Sequence, residues 1–498
     1  MLNRLWMVLC VILAGSVMAQ THPASRPTSA PTTAPAIVEG VSESTHELKL
    51  AEGEVLKYRA KAGTLPYAPE EAAKPTGNLF YVAYDKLPVD SNRPITFIFN
   101  GGPGAAAVWL HIGTAGPKIL FLGDQLQPPA SPGRLIDNPD TWLKSSDLVF
   151  IDPIGTGYSR LVEGEKSRDV FSTEGDIKSM ANFIRLYLTR NQRWLSPKFL
   201  AGESYGTTRA AGLADYLHER YGIDLRGIVL ISSVLDFATL SPGEGNDLPY
   251  ALYLPSYAAV AHYHGKTGQQ PIEQVIKDAQ QYALNDYTKA LLQGGSLSDE
   301  QRHAVAEKLS QFMGLSVDYI LKNDLRIDPE RFEKQLLNDK RQVVGRFDAR
   351  ITGHDDDPAG SRPQLDPSLD FYIGLYNSTI NDYVRTTLGY QSDLPYEVLT
   401  GRVHPWDFGK EMGYLNMSSR LRDAMIKNPH LRVLVSSGYY DLATPFLATT
   451  YTLNRLAMTP ELRERIEENF YPAGHMIYHN TNTRPELNEK INGFLSAP

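Results

Sequence analysis

Ser204 lies in a short glycine turn that suits a catalytic nucleophile. The turn reads Gly202-Glu203-Ser204-Tyr205-Gly206, with a strand-like run at residues 198–201 before it and a helical run of small residues at 207–214 after it. A G-x-S-x-G sequence between a strand and a helix is typical of a nucleophile elbow, a sharp turn that exposes the serine hydroxyl. The bare pattern is weak, but its strand-to-helix context predicts nucleophilic chemistry at Ser204.

Two downstream residues could supply the acid and the base that such a serine needs. The base takes the hydroxyl proton, and the acid holds the base in one tautomer. Asp441 follows the apolar run at residues 431–435, and His475 lies in a glycine-containing loop after a short strand-like segment. Ser204, Asp441 and His475, in this order, are therefore predicted to form a catalytic triad. Taken singly, Asp441 also fits a helix N-cap or turn, and His475 also fits an ordinary loop histidine.

A glycine-rich loop follows the apolar run at residues 95–99. It reads Asn100-Gly101-Gly102-Pro103-Gly104. A loop of this kind can bring backbone N–H groups to the oxyanion that develops during acyl transfer, and the N–H group of Tyr205 would be the second donor. A phosphate-binding loop is excluded because no Lys-Ser or Lys-Thr pair follows the glycines. A purely structural turn is the remaining alternative.

Five segments of the chain resemble the serine carboxypeptidase family, peptidase family S10. They occur in the family's order between residues 95 and 480, and the first three are specific as a set. The segments are Asn100-Gly101-Gly102-Pro103-Gly104, Asp152-Pro153-Ile154-Gly155-Thr156-Gly157-Tyr158-Ser159, Gly202-Glu203-Ser204-Tyr205-Gly206, the Ser-Gly-Tyr-Tyr-Asp loop that ends at Asp441, and Ala473-Gly474-His475-Met476.

The resemblance implies an α/β-hydrolase fold and a hydrolase that removes C-terminal residues from peptides through an acyl-enzyme, without a cofactor or metal. It implies an oxyanion hole formed by the backbone N–H groups of Gly102 and Tyr205. It also implies that the free C-terminal carboxylate of the peptide is bound by Asn100, the backbone of Gly101, and Glu203. A carboxylate beside a carboxylic acid requires that one of the two is protonated, so peptide cleavage is expected to favour acidic pH.

One departure from the family pattern concerns the partner of Glu203. Family members commonly place a glutamate shortly before a Gly-Pro pair, whereas Gly113, Thr114 and Ala115 precede Gly116-Pro117 here. A weaker acid optimum is therefore expected. An esterase or acyltransferase that uses the same triad is the alternative function. A non-catalytic envelope protein on a hydrolase scaffold is a third hypothesis, because fold alone does not determine function.

The predicted elements place these residues at strand ends. Apolar runs at residues 95–99, 148–151, 228–231 and 431–435 are typical of buried parallel strands, and helical patterns lie between them. This alternation predicts an α/β fold with a mostly parallel sheet covered by helices, preceded by an antiparallel hairpin or meander. The predicted core comprises residues 38–240 and 403–498, interrupted by a mainly helical insertion or cap at residues 241–402.

The N-terminal residues have the pattern of an export signal followed by a linker. Residues 1–19 combine Arg4, an apolar core and a small-residue cleavage site before Gln20, which predicts a signal peptide. Residues 20–37 are rich in Pro, Ala, Ser and Thr, which predicts a disordered linker. The chain contains one cysteine, Cys10, so the mature chain would have none. Export without disulfides favours a periplasmic or secreted bacterial protein with no membrane span after signal removal.

Composition excludes other classes of function. With 49 basic and 57 acidic residues the net charge is −8, which argues against nucleic acid as a partner. The resemblance to the serine carboxypeptidase family implies that the partner is a peptide with a free C-terminus. The run Asp355-Asp356-Asp357 lacks the spacing of a calcium loop and is predicted to be a solvated acidic turn. No metal site is predicted.

Overall fold

The computed structural model describes residues 40–69, 74–123, 126–165, 167–409 and 413–497. The predicted signal peptide at 1–19 and the linker at 20–37 lie outside the described residues. Within the described part of the chain, no helix is both long enough and apolar enough to cross a membrane.

Fourteen strands are found in the described ranges. They are β1 (Val41–Lys49), β2 (Val55–Tyr67), β3 (Gly77–Lys86), β4 (Ile95–Phe99), β5 (Lys118–Leu120), β6 (Leu135–Asp137), β7 (Asp147–Ile151), β8 (Arg160–Leu161), β9 (Lys198–Glu203), β10 (Gly227–Ile231), β11 (Gln342–Val344), β12 (Thr352–His354), β13 (Arg432–Gly438) and β14 (Ile466–Tyr471). Nine of them form a central sheet in the order β1-β2-β3-β7-β4-β9-β10-β13-β14, and β8 pairs with β3 at its margin.

The central sheet changes from antiparallel to parallel along its width. The first three strands and β7 are antiparallel neighbours. From β7 onward every neighbouring pair is parallel. The predicted opening meander and the predicted mostly parallel sheet are therefore both confirmed. The carboxyl ends of β4, β9, β10, β13 and β14 consequently lie at one edge of the sheet.

Helices cover both faces of this sheet, and further helices lie in the segment between β10 and β13. The α-helices of the described residues are α1 (Val108–Leu110), α2 (Thr173–Arg190), α3 (Tyr205–Tyr221), α4 (Leu248–Tyr263), α5 (Ile272–Tyr282), α6 (Thr288–Gln293), α7 (Asp299–Met313), α8 (Val317–Lys322), α9 (Pro329–Gln335), α10 (Pro367–Asp382), α11 (Ser418–Lys427), α12 (Phe446–Arg455), α13 (Pro460–Arg463) and α14 (Arg484–Ser496). Side chains alternate between the faces of a strand. Accordingly, Ile95, Phe97 and Phe99 belong to the buried cluster that contains α2 and α3, whereas Ile98 belongs to the cluster that contains α10 and α14.

Residues 241–402 lie between β10 and β13 and contain α4 to α10. They also contain the short hairpin of β11 and β12, in which Val343 and Val344 are buried. Strands of three residues carry too little alternation to be recognised from sequence. The buried cluster of these helices includes Tyr440, Leu442 and Phe446 from the segment around Asp441. The insertion is thus packed directly against a loop that bears a candidate catalytic residue.

The prediction that residues 355–357 form a solvated turn is wrong for Asp355. The Asp355 side chain is buried, and its Oδ1 accepts a hydrogen bond of 2.6 Å from Nζ of Lys334, which is also buried. A buried charge is tolerated when an opposite charge and hydrogen bonds accompany it, and Lys334 lies too far away in sequence to be recognised as the partner. No cluster of His, Cys, Asp or Glu suited to a metal ion occurs among the described residues.

Candidate active site

Ser204 occupies a strained turn between β9 and α3. Its backbone angles are φ 60° and ψ −130°, a conformation that residues with a side chain adopt at a cost. A Cβ atom at Gly202 would lie 2.3 Å from the carbonyl oxygen of Gly206, and one at Gly206 would lie 3.0 Å from the carbonyl oxygen of Phe99. Only glycine fits at Gly202, because the first turn of the helix passes so close to the strand. Ser204 itself is partly exposed, as a nucleophile must be.

His475 and Asp441 are joined by a hydrogen bond. Nδ1 of His475 lies 2.8 Å from Oδ2 of Asp441, and both side chains are buried. Oδ1 of Asp441 accepts the backbone N–H groups of Ala443 and Thr444 at 2.8 and 2.9 Å, and Oδ2 also accepts the Thr444 hydroxyl at 2.7 Å. The Asp441 carboxylate therefore accepts four hydrogen bonds, which fix its orientation. The imidazole is oriented with its proton on Nδ1, which leaves Nε2 free to accept a proton.

The charge environment of the imidazole favours its protonated form. Burial alone would lower the pKa of His475, but the adjacent Asp441 carboxylate and Glu203 outweigh it, so the pKa is raised above its usual value of 6.5. A base with these neighbours is stabilised when it accepts a proton.

The end of β10 connects the serine turn to the histidine loop. The Ser204 N–H group donates to the Ile231 carbonyl at 3.0 Å. The next residue, Ser232, donates its N–H to the Ser436 carbonyl at 2.8 Å and its hydroxyl to the His475 carbonyl at 2.7 Å. The three predicted triad residues thus follow β9, β13 and β14, at the same edge of four consecutive parallel strands.

The glycine loop after β4 packs against the start of α3. A Cβ atom at Gly101 would lie 2.4 Å from the backbone nitrogen of Tyr205, so only glycine permits this approach. Gly102 has φ +100°, which also favours glycine. The buried Arg209 donates to the Asn100 carbonyl at 2.5 Å and to Oδ2 of Asp176 at 2.7 Å. No local sequence pattern indicates this buried ion pair, which holds the loop on the helix.

Glu203 is a buried acid beside the candidate nucleophile. Its Oε1 accepts a hydrogen bond of 2.9 Å from Nδ2 of Asn100, and the Asn100 Oδ1 accepts the Leu110 N–H at 3.1 Å. Burial raises the pKa of Glu203 to about 7, although His475, Tyr478 and Asn100 act in the opposite direction. The Glu203 carboxyl therefore titrates near neutral pH.

The segment that departs from the family pattern contributes no acid to Glu203. Residues His111–Ala115 form a π-helical turn, and a Cβ atom at Gly113 would lie 2.5 Å from Cε2 of Tyr478 and 2.8 Å from the hydroxyl of Tyr376. Thr114 instead donates to Oδ1 of Asn488 at 2.6 Å. Tyr376 and Tyr478 could not be predicted from the sequence, because no local pattern indicates an aromatic residue that reaches an active site.

The insertion contributes a short brace, residues 345–349, which contacts both the acid loop and the histidine loop. The Phe347 carbonyl accepts the His475 N–H at 2.6 Å, and the Arg346 carbonyl accepts the Leu442 N–H at 3.0 Å. The Ala349 N–H donates to the Tyr440 carbonyl at 3.1 Å. Because these bonds use backbone atoms only, no side-chain motif could have indicated them.

Comparison with known proteins gives one family for most of the chain. The model of the serine carboxypeptidase family, peptidase family S10, matches residues 56–486. Serine carboxypeptidase S10 family member 1 of Dictyostelium discoideum is 25% identical over 166 residues, which cover 32% of this chain and 37% of that protein. The pheromone-processing carboxypeptidase KEX1 of Yarrowia lipolytica is 28% identical over 163 residues, which cover 32% of this chain and 25% of that protein.

A solved structure is similar over a larger part of the chain. The prohormone-processing carboxypeptidase Kex1 from Saccharomyces cerevisiae aligns with a TM-score of 0.52 and 16% sequence identity, covering 87% of this chain and 91% of that chain. At this identity the similarity concerns the fold, which is that of an α/β-hydrolase. The curated relatives named above are matched over only 37% and 25% of their own length.

Proposed function

Because the chain belongs to the serine carboxypeptidase family, peptidase family S10, we propose that it removes C-terminal residues from peptides through an acyl-enzyme. The observation that carries this proposal is the buried His475–Asp441 hydrogen bond at the sheet edge where the Ser204 turn also ends. A serine, an imidazole and a carboxylate supplied by parallel strand ends are what acyl transfer needs.

In the proposed mechanism, Ser204 Oγ attacks the carbonyl carbon of the last peptide bond. His475 Nε2 takes the hydroxyl proton and then gives it to the amine of the departing residue, while Asp441 stabilises the imidazolium. Water, deprotonated by His475, then attacks the acyl-enzyme, releases the shortened peptide and restores the serine hydroxyl. The backbone N–H groups of Gly102 and Tyr205 stabilise the oxyanion of both tetrahedral intermediates.

The proposed carboxylate site consists of Asn100, the Gly101 backbone and Glu203. Below pH 7 Glu203 carries a proton and can donate it in a hydrogen bond to the terminal carboxylate of the peptide. Above that pH the ionised carboxyl repels the substrate. Affinity for a free C-terminus should therefore be lost as the pH rises through about 7.

An esterase or acyltransferase that uses the same residues is the second candidate. Residues 113–115 supply no second acid beside Glu203 at the position where the family commonly has one. A pocket with one acid binds a terminal carboxylate less selectively, which favours substrates without that group. Peptides with free and amidated C-termini, compared with simple esters, distinguish the two candidates.

The test of the proposal is mass spectrometry of a mixed peptide pool after incubation with the enzyme. Loss of one residue at a time from free C-termini is expected, and amidated copies of the same peptides should be cleaved more slowly at pH 5. The Ser204→Ala variant is the control for contaminating peptidases. Hydrolysis of esters alone, with every peptide intact, would reject the carboxypeptidase function in favour of the second candidate.

Export of the protein is also proposed, on the basis of the sequence pattern at residues 1–19. The signal is expected to be cleaved before Gln20, and the mature protein to be periplasmic or secreted. N-terminal sequencing of the protein isolated from its native host tests this. A mature chain that still begins at Met1 would contradict it.

A further inference from the structure

Two buried polar atoms beside the proposed carboxylate site lack a well-directed hydrogen bond. Among the described residues, neither Oε2 of Glu203 nor the hydroxyl of Tyr478 makes a well-directed hydrogen bond, although the two groups are close enough for each to shift the pKa of the other. Glu203 is 3% exposed and Tyr478 is fully buried. Buried polar groups are nearly always paired, so two open groups next to each other indicate a functional role.

The position of Tyr478 explains how its hydroxyl reaches Glu203. Tyr478 lies in the turn Ile477–His479, directly after the His475 loop. Its ring packs against Gly113, where any Cβ atom would collide with it. Its hydroxyl faces the Glu203 carboxyl and the Asn100 amide. The tyrosine therefore fills the space beside the segment from which a second acid would have come.

We propose that Tyr478 is a positioning residue for Glu203: its hydroxyl takes the place of a second acid and holds the Glu203 carboxyl toward the terminal carboxylate of the substrate. This inference rests on the proposed carboxypeptidase function. A tyrosine differs from a second acid because it remains a neutral donor in the working pH range. The pocket therefore has one carboxyl ionisation, whereas a pair of acids would share a proton between two coupled sites.

The neighbours of Glu203 define the direction of the expected effect. The titratable groups that face it are His475, Asp441, Tyr478 and Tyr376. The proximity of the Tyr478 hydroxyl, a potential donor, favours the ionised form of Glu203 and so lowers its pKa, in opposition to burial. Removing this hydroxyl should raise the pKa of Glu203 and also leave the carboxyl less well oriented.

The test is the Tyr478→Phe variant, assayed from pH 5 to 9 on a peptide with a free C-terminus and on its amide. At pH 5 we expect KM for the free acid to rise about fivefold, the size of one lost hydrogen bond, with kcat within about twofold. The pH at which KM increases should move upward by about half a unit or more, because the pKa of Glu203 rises. KM for the amide should not change.

Two further variants make the result specific. Tyr287→Phe is the matched control, because Tyr287 is fully buried and donates to the Leu325 carbonyl at 2.6 Å within the insertion. It should leave KM and its pH dependence as in the wild type. In the Glu203→Gln background, Tyr478→Phe should cause no shift in the pH dependence of KM, because residue 203 no longer has a carboxyl whose pKa could change.

An unchanged KM and an unchanged pH profile in Tyr478→Phe would overturn the inference. If the wild type cleaves no peptide, the proposed carboxypeptidase function fails, but the role of Tyr478 can still be tested. The pH midpoint at which the infrared band of the Glu203 carboxyl titrates measures its pKa without turnover. That midpoint should rise in Tyr478→Phe, and an unshifted midpoint would refute the role of Tyr478. If the phenylalanine variant does not fold, 3-fluorotyrosine at position 478, a stronger donor of nearly equal volume, should lower the midpoint.

Discussion

Nδ1 of His475 lies 2.8 Å from Oδ2 of Asp441, although the two residues are 34 positions apart in the chain. They follow β13 and β14, which are parallel neighbours, so the sheet brings their loops together. The backbone of Arg346 and Phe347, from the insertion, then bonds to both loops. The geometry of this pair thus depends on the core sheet and on the insertion at once.

Asp441→Asn should reduce kcat/KM by about 10⁴, because the amide favours the wrong imidazole tautomer while the pocket keeps its shape. The measurement is steady-state hydrolysis of a peptide substrate. The matched control is Asp224→Asn, because Asp224 also contacts a histidine, His218, at 2.8 Å, but on the surface. The control should retain wild-type activity, and equal losses in both variants would contradict the assigned role of Asp441.

Glu203→Gln should abolish the pH dependence of substrate affinity near neutrality. In the wild type, KM for a peptide with a free C-terminus is expected to rise with pH through about 7, as Glu203 loses its proton. The glutamine is neutral at every pH, so the same plot should be flat between pH 6 and 8. The assay is KM against pH, with the amidated peptide as the control substrate. A wild-type KM that is constant across this range would exclude Glu203 from carboxylate binding.

The same variant should change how stability depends on pH. Burial raises the pKa of Glu203 from 4.5 to about 7, so the native state binds this proton more tightly than the unfolded chain. The contribution of this proton to the free energy of unfolding is fully present below pH 4.5. It is lost as the pH rises to 7, which lowers the free energy of unfolding by about 3 kcal/mol.

Denaturant unfolding at pH 5 and pH 8 measures this contribution. From pH 5 to pH 8, the free energy of unfolding should fall more in the wild type than in Glu203→Gln. Comparing the difference between the two proteins at each pH removes the contribution of the other titrating groups. A difference that is the same at both pH values would mean that Glu203 is ionised throughout.

Gly202→Ala should disrupt the serine turn. The added methyl group would lie 2.3 Å from the Gly206 carbonyl oxygen, so strand and helix must separate, at a cost of about 2 kcal/mol or more. Activity should fall with stability, as followed by thermal unfolding and peptide hydrolysis. Gly493→Ala in α14 has open space around the new methyl group and should be neutral or stabilising. Wild-type stability in Gly202→Ala would argue against the tight elbow.

The sequence was sufficient to predict the features that depend on local pattern. Uninterrupted apolar runs predicted β4, β7, β10 and β13, which the structure contains. The loops after β9, β13 and β14 hold Ser204, Asp441 and His475, whose role as a triad stays a prediction. These signals are local because a buried parallel strand and a sharp glycine turn each impose their own composition. Parallel pairing of these strands then places their carboxyl ends at one edge of the sheet, so no additional sequence signal is needed to bring the loops together.

The features that were missed depend on contacts between distant segments. The Arg209–Asp176 ion pair, the Lys334–Asp355 pair and the Tyr478 hydroxyl each require knowledge of which elements pack together. The brace at residues 345–349 bonds through backbone atoms, and backbone hydrogen bonds cannot be recognised from residue types. The assumption that acidic runs are solvated failed at Asp355 because its lysine partner is buried with it.

The central claim is that Ser204 is a nucleophile activated by His475 and Asp441. Mass spectrometry after treatment with a fluorophosphonate probe tests it most directly. One adduct per chain is expected, located by peptide mapping on Ser204, with no adduct in Ser204→Ala and slow labelling in His475→Ala. A folded wild type that takes up no probe, or an adduct that persists in Ser204→Ala, would contradict the account.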